Sequence, residues 1–180
     1  MGPLPTLVGR LHRRHPGCTF HITDAGGIDG VEEAVRSGRC ELGLTAAPPG
    51  RGLRSAALSD QDLLLVPAAT GYDELPDPVP LAGLARLSLV APPANGSSRI
   101  VVEQAFADVG AAPRIVVECF HRGALIALAE AGAGSAFLPR ALARAAQHGG
   151  CAVRTTVPPL RRRVQLIRRR TRSPHRPGPC

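Results

Sequence analysis

Segments with the apolar spacing of an α-helix alternate along this chain with short segments that have the pattern of β-strands. Helical spacing runs through residues 28–36, 99–109 and 124–131, where apolar residues recur every three or four positions. Short apolar strands are predicted at residues 42–44 and 114–119. This alternation indicates an α/β fold with mainly parallel sheets.

The N-terminal region is predicted to form the first unit of this pattern. Residues 6–15 have helical spacing and are followed by Pro16 and Gly17, which end a helix. Apolar and polar residues then alternate through residues 18–23, which predicts a strand. With the next helix and the strand at 42–44, this segment would form a strand–helix–strand unit with a right-handed crossover.

The net charge of +8 is confined to the C-terminus. Residues 161–180 contain eight of the 22 arginines and no acidic residue, whereas residues 1–160 contain 14 arginines and all 14 acidic residues. This distribution favours a solvated strand edge over a nucleic-acid-binding surface spread across the fold, with contact to nucleic-acid phosphates as the alternative. Aromatic residues make up 3 % of the chain, which argues against a stacking platform for nucleic acid or sugar.

The cysteines and the hydropathy pattern indicate the cellular compartment in which we expect the protein. Five widely spaced cysteines without a CxxC pair are typical of reduced thiols rather than of a disulfide framework or a zinc site. No apolar stretch reaches the roughly 18 residues of a membrane span, and the N-terminus lacks a signal-peptide pattern. We therefore expect a cytoplasmic protein without membrane contact.

No catalytic constellation is found in the sequence. It lacks a GxSxG elbow, a GxxxxGK[ST] phosphate loop and a GxGxxG turn after a strand. The glycines of residues 131–134 end a helix rather than begin one. Cys119 and His121 have the spacing of two metal ligands, but no second pair completes a tetrahedral site. We expect no enzyme activity, no cofactor and no metal.

Five segments occur in an order that is typical of one family. They are LHRRHPG (11–17), AVRSGRCELGLT (34–45), PANGSSRIVVEQAF (93–106), ALIALAEAGAGSAFLPR (124–140) and PPLRRRVQLIRRR (158–170), and VGAAPRIVVEC (109–119) follows the third of them in the same order. Each is mostly an apolar pattern with Gly or Pro, so their order and spacing together form the specific signal. Over residues 4–170 the chain resembles the effector-binding domain of LysR-type transcriptional regulators.

The resemblance implies a two-lobed α/β fold like that of type 2 periplasmic binding proteins, with two crossover strands between the lobes. The implied divisions are residues 4–66 and 158–170 for lobe one, 84–150 for lobe two, 67–83 and 151–157 for crossover or hinge segments, and 171–180 for a disordered tail. In the family, a DNA-binding helix-turn-helix and a first strand of lobe one precede the first helix. Neither is recognised here, so we interpret the chain as N-terminally truncated.

The resemblance places a ligand in the cleft between the lobes, at the carboxyl ends of the strands. The turn before the helix at 99–109 offers Gly96, Ser97 and Ser98. Free N–H groups and the helix dipole favour an anion at such a turn. Capping of the helix by either serine is the alternative interpretation.

Three further residues are candidates on the cleft side. Thr45 follows the strand at 42–44 and would hydrogen-bond a ligand, or merely cap the strand end. His121 and Arg122 lie between a strand and the next helix, where Arg122 would pair with an anionic effector. A solvated arginine in a loop is the alternative for Arg122.

The functional hypothesis is an effector-sensing and dimerisation domain that acts in transcription regulation. Its partners would be a small-molecule effector, a carboxylate or another anion, and a second copy or a full-length relative. Contact with DNA would occur only through a domain that is not found in this chain. The alternative is a truncated, non-functional or dominant-negative remnant that pairs with full-length relatives.

Overall fold

The computed structural model describes residues 3–69 and 75–170. The α-helices are α1 (Pro3–Arg14), α2 (Ile28–Arg36), α3 (Ser97–Asp108), α4 (Arg122–Glu130) and α5 (Arg140–His148), with a 3₁₀ helix at Leu81–Arg86. The strands are β1 (Leu42–Thr45), β2 (Leu53–Val66), β3 (Val79–Pro80), β4 (Ser88–Ala91), β5 (Arg114–Glu118), β6 (Ala136–Pro139), β7 (Thr156–Val157) and β8 (Leu160–Arg169). Within the described ranges, none of these helices is both long and apolar enough to cross a membrane.

The helices form where the sequence carries an apolar face. In α2, Ala34 and Val35 are buried on one side, while Glu33 and Arg36 are exposed on the other. The helix ends before Gly38, whose φ of +81° is a backbone conformation that glycine adopts without steric cost.

The strands form one antiparallel sheet and two small parallel ones. The four-stranded sheet has the order β1-β8-β2-β6, with every neighbouring pair antiparallel. The pairs β3-β7 and β4-β5 are parallel. Since β1 and β2 both run opposite to β8, they run in the same direction on either side of it.

The long strands β2 and β8 connect separate parts of the hydrophobic core. Near one end of their ladder, Leu53 and Ile167 pack with Val35 of α2. Near the other end, Leu63 and Leu160 belong to a larger cluster beneath α3. The members of that cluster are Leu63, Leu65, Val79, Leu81, Leu84, Leu89, Val102, Phe106, Phe137 and Leu160.

The α/β mixture that the sequence predicted is confirmed, but two details differ. The predicted mainly parallel arrangement holds in the small sheets and not in the four-stranded sheet. The physical reason is that the chain leaves along β2 and returns along β8, which obliges these neighbours to run in opposite directions.

The strand predicted at residues 18–23 was wrong, since residues 18–25 have neither helix nor strand. A strand requires a hydrogen-bonded neighbour, and none of the described strands pairs with this segment. The parallel crossover unit predicted from it is therefore not formed. The predicted tail at residues 171–180 lies outside the described residues.

Candidate functional site

The start of α3 lies at the end of β4, after a turn that contains two consecutive prolines. Gly96 is the residue before the first helical turn, and its φ of −75° and ψ of 132° are extended. The helix then begins with Ser97 and Ser98, of which Ser98 is buried. Neither serine is the N-cap, so the capping alternative does not describe them.

Both serine hydroxyls contact one guanidinium group, which belongs to Arg162 of β8. Arg162 Nη1 donates to Ser97 Oγ and to Ser98 Oγ, each at 2.9 Å. On its other side, Nε and Nη2 donate to Gln61 Oε1 at 3.1 and 2.8 Å. Gln61 lies directly opposite Arg162 in the β2-β8 ladder. One side chain therefore ties the start of α3 to two strands.

Arg162 is buried without a carboxylate beside it. Its relative exposure is 7 %, and all of its hydrogen bonds within the described residues go to neutral oxygens. Burial, with a smaller contribution from the nearby charge of Arg122, lowers the pKa of Arg162 to about 10. At neutral pH the group stays charged, so a positive charge lies unneutralised at this point.

Arg99, which directly follows Ser98 in the first turn of α3, has the opposite environment. Its guanidinium lies 2.5 Å from Glu103 and 3.5 Å from Glu118, and it also donates to Pro92 O. The two carboxylates neutralise Arg99. Arg162 differs from Arg99 in being buried without such a partner.

His121 and Arg122 lie at the start of α4. His121 is the N-cap residue, and both side chains are exposed. Arg122 is close enough to Arg162 for its charge to act on the Arg162 guanidinium. The structure thus brings Ser97, Ser98 and Arg122 toward one buried cation.

Thr45 is placed differently. It is buried at the end of β1, where Thr45 Oγ1 accepts a hydrogen bond from Ala47 N at 3.2 Å. Its register partner is Gln165, which lies an odd number of residues from Arg162 and so points to the other face of β8. None of its hydrogen bonds within the described ranges reaches Ser97, Ser98 or Arg162, and its ligand role stays a prediction.

Two cavities lie near these residues, and they differ in size. The cavity that Ser98 lines beneath α3 has a volume of about 10 Å³, room for roughly one water molecule. A wider, open groove lies on the Thr45 side of the sheet, between Ala46 and Arg163. Its arginines are already paired, since Arg161 contacts Asp62 and Arg163 contacts Asp60. Each arginine of that groove thus has a carboxylate beside it, although Arg161 shares Asp62 with Arg140.

The turns before α2 and α3 touch each other. Asn95 Nδ2 donates to Gly26 O at 2.9 Å, and Ile28 N donates to Asn95 O at 3.2 Å. A Cβ atom on Gly27 would lie 2.6 Å from the Asn95 side chain, so glycine permits this close approach. The contact joins segments assigned to different lobes by the predicted division.

Sequence analysis missed Arg162 and Gln61. A signal for Arg162 was present, because Leu160, Arg162 and Val164 alternate with exposed arginines along β8. In a strand of period two, this alternation places Arg162 on the apolar face. No group of three or more potential metal ligands was found in residues 3–69 and 75–170.

Comparison with known proteins shows the family to which the chain belongs. The model of the LysR substrate binding domain matches residues 2–177. An uncharacterised HTH-type transcriptional regulator from Shigella flexneri, YfeR, is 27 % identical over 171 residues. The alignment covers 94 % of this chain and 55 % of that protein, so the chain spans about half the length of this relative.

Solved structures match the fold over nearly the whole chain. The effector-binding domain of QuiR in complex with shikimate has a TM-score of 0.80 at 19 % identity, covering 96 % of this chain and 84 % of that one. The cofactor-binding domain of the Cbl transcriptional regulator has a TM-score of 0.81 at 16 % identity, covering 94 % and 75 %. The predicted two-lobed, periplasmic-binding-protein-like fold is thereby confirmed.

Proposed function

Because the chain belongs to the LysR substrate-binding domain family, we propose that it senses a small anionic molecule in the cleft between its lobes. The effector binds at the start of α3 and draws the lobes together. The change is passed to a DNA-binding domain, on this or a partner polypeptide, and so regulates transcription in the cytoplasm. The role is one of binding and not of catalysis.

One observation carries the proposal, namely the unneutralised positive charge at the start of α3. Ser97 and Ser98 place two hydroxyls beside the first N–H groups of the helix, and Arg162 adds a buried guanidinium. Helix N-termini and guanidinium groups both favour anions. The bound shikimate of the QuiR domain is a carboxylic acid and supports the same class of ligand.

The structure gives a reason for a conformational change on binding. The cavity beneath α3 is too small for an effector, and the turns before α2 and α3 are in contact. The ligand therefore enters when these turns separate, and it is enclosed when they meet again. We propose roles for Gly96, His121 and Arg122 along this path, and for Thr45 at the opposite wall.

The experiment is a melting-temperature screen of the chain with carboxylates, sulfate and phosphate, starting with shikimate. A ligand at about 100 times its Kd stabilises a folded protein by about 2.7 kcal/mol, which raises the melting temperature by several degrees. We expect at least one anion to do so, and its titration to saturate. A screen in which neither anionic nor neutral metabolites stabilise the chain contradicts the proposal.

A second candidate is a remnant that has lost sensing but still pairs with full-length relatives. The observation that favours it is the segment of residues 18–25, which has no strand partner among the described strands. In that case no ligand stabilises the chain, while mixing it with a full-length relative produces a mixed oligomer. Size-exclusion chromatography with mass detection distinguishes the two functions.

A further inference from the structure

Arg162 fixes the direction in which two hydroxyl groups point. A serine oxygen that accepts a hydrogen bond from a guanidinium turns its own hydrogen away from that group, because the two donors repel each other. Ser97 Oγ and Ser98 Oγ both accept from Arg162 Nη1. Within residues 3–69 and 75–170, neither hydroxyl donates to a protein acceptor. Both hydrogens are thus left for a ligand.

Gln61 contributes by holding Arg162 in place. Its Oε1 accepts from two guanidinium nitrogens, Nε and Nη2, which fixes the plane of the group. Since Gln61 is neutral, it orients the guanidinium without cancelling its charge. A carboxylate at this position would orient Arg162 equally well and remove the positive charge.

Apart from the carboxylates of Glu103 and Glu118, which pair with Arg99, the groups at the start of α3 are donors or positive charges. They comprise two serine hydroxyls, the free N–H groups of the first helical turn and the Arg162 guanidinium, with Arg122 nearby. No described acidic side chain pairs with Arg162. An amide or a protonated acid offers one acceptor oxygen beside one donor group, whereas an ionised carboxylate offers two acceptor oxygens and a negative charge.

We propose that Arg162 is the specificity-determining residue of this site. By donating to Ser97 Oγ and Ser98 Oγ, Arg162 orients both hydroxyls as donors toward the ligand, and it makes the site selective for a fully ionised oxyanion. This inference rests on the proposed function and narrows its ligand to carboxylate, sulfonate or phosphate groups. Arg162 acts as a positioning residue on the serines and as a counter-charge for the ligand. Neutral isosteres of the same shape are rejected.

Matched pairs of ionised and neutral ligands test the inference. The pairs are shikimate with methyl shikimate, benzoate with benzamide, and succinate with succinamide, together with inorganic sulfate. We expect the intact chain to bind at least one ionised member, and to bind its neutral counterpart on the order of 100-fold more weakly. Isothermal titration measures both affinities.

Substitution of Arg162 separates positioning from general stability. R162M is expected to lose most of the preference for the ionised member, whereas R162K retains part of it because the charge remains. R162M leaves the oxygens of Gln61, Ser97 and Ser98 without their donor, so we expect it to melt at a lower temperature than the parent, and R162K keeps the inference testable if R162M unfolds. R163M, on the exposed face of β8, is the control and should bind as the parent does.

The outcomes are distinct. If a neutral member binds as well as its ionised partner, or if R162M keeps the full preference, the inference about Arg162 is overturned while the sensing function stands. If R162M unfolds and R162K shows the parent's preference unchanged, Arg162 is only a structural residue. If no ionised or neutral compound binds the parent chain, both this inference and the proposed function fail.

Discussion

At the scale of the residue, arginines in this chain differ by whether a carboxylate faces them. Three consecutive arginines of β8 show the contrast, since Arg161 and Arg163 are exposed and paired with aspartates while Arg162 is buried and unpaired. The alternation of a strand accounts for this difference and is readable from the sequence. The contact between Arg162 and Ser97, which are 65 positions apart, cannot be read from the sequence, because it depends on how β8 and α3 pack.

Asp62 is expected to stabilise the fold in a pH-dependent way. Asp62 accepts hydrogen bonds from Arg140 at the start of α5 and from Arg161 of β8. These bonds lower the pKa of Asp62 from its ordinary value of 3.8, and the bond from Arg140 contributes most. We expect D62N to lower the free energy of unfolding by about 1 kcal/mol at pH 7, as for partly exposed ion pairs. A lowered folded pKa gives stability that is present above the unfolded pKa and is lost as the pH falls through the folded value.

Urea denaturation of the parent and D62N at pH 7, 5 and 3 measures this effect. The difference should be constant between pH 7 and 5 and should shrink toward pH 3. D60N is the control, because Asp60 and Arg163 are both more than half exposed and their pair should contribute less. A difference between the parent and D62N that grows on acidification would contradict the assignment.

At the scale of the element, the sequence predicted the helices better than the strands. The spacing of apolar residues placed α2, α3 and α4 to within a few residues, because a helix makes its backbone hydrogen bonds internally. The alternation at residues 18–23 predicted a strand that does not form. Alternation shows which side chains share a face, but it does not show whether a neighbouring strand exists.

The packing of α2 on β1 is expected to depend on Gly43. A Cβ atom at Gly43 would lie 2.7 Å from Val31, 2.9 Å from Val35 and 3.0 Å from Ile167. We expect Gly43→Ala to push α2 away from the sheet and to destabilise the protein by about 1–3 kcal/mol, as other overpacked cores do. Chemical denaturation measures the loss. Gly83→Ala is the control, because nothing lies within 4 Å of its added Cβ, and an equal loss there would contradict the packing argument.

At the scale of the whole molecule, two features decide how one half can move relative to the other. The β2-β8 ladder runs between the separate core clusters and is continuous except for one irregularity between Ala57 and Ser59. The contact between Asn95 and the turn at Gly26 involves neither strand of this ladder. A molecule joined by continuous strands on one side and by a few hydrogen bonds on the other can open on the weaker side.

Truncation of Asn95 is expected to favour the open form. N95A removes the hydrogen bond to Gly26 O, which is worth about 1 kcal/mol for a typical pair and corresponds to about fivefold in the equilibrium between open and closed forms. The Ile28 N–H, which donates to Asn95 O, should then exchange with solvent about fivefold faster. As long as the closed form predominates, the affinity of an effector that binds this form should fall by much less than fivefold. Q104A, which removes an amide that bonds only to Asp108 within α3, should leave both quantities unchanged. Unaltered Ile28 exchange in N95A would mean that this contact does not hold the two turns together.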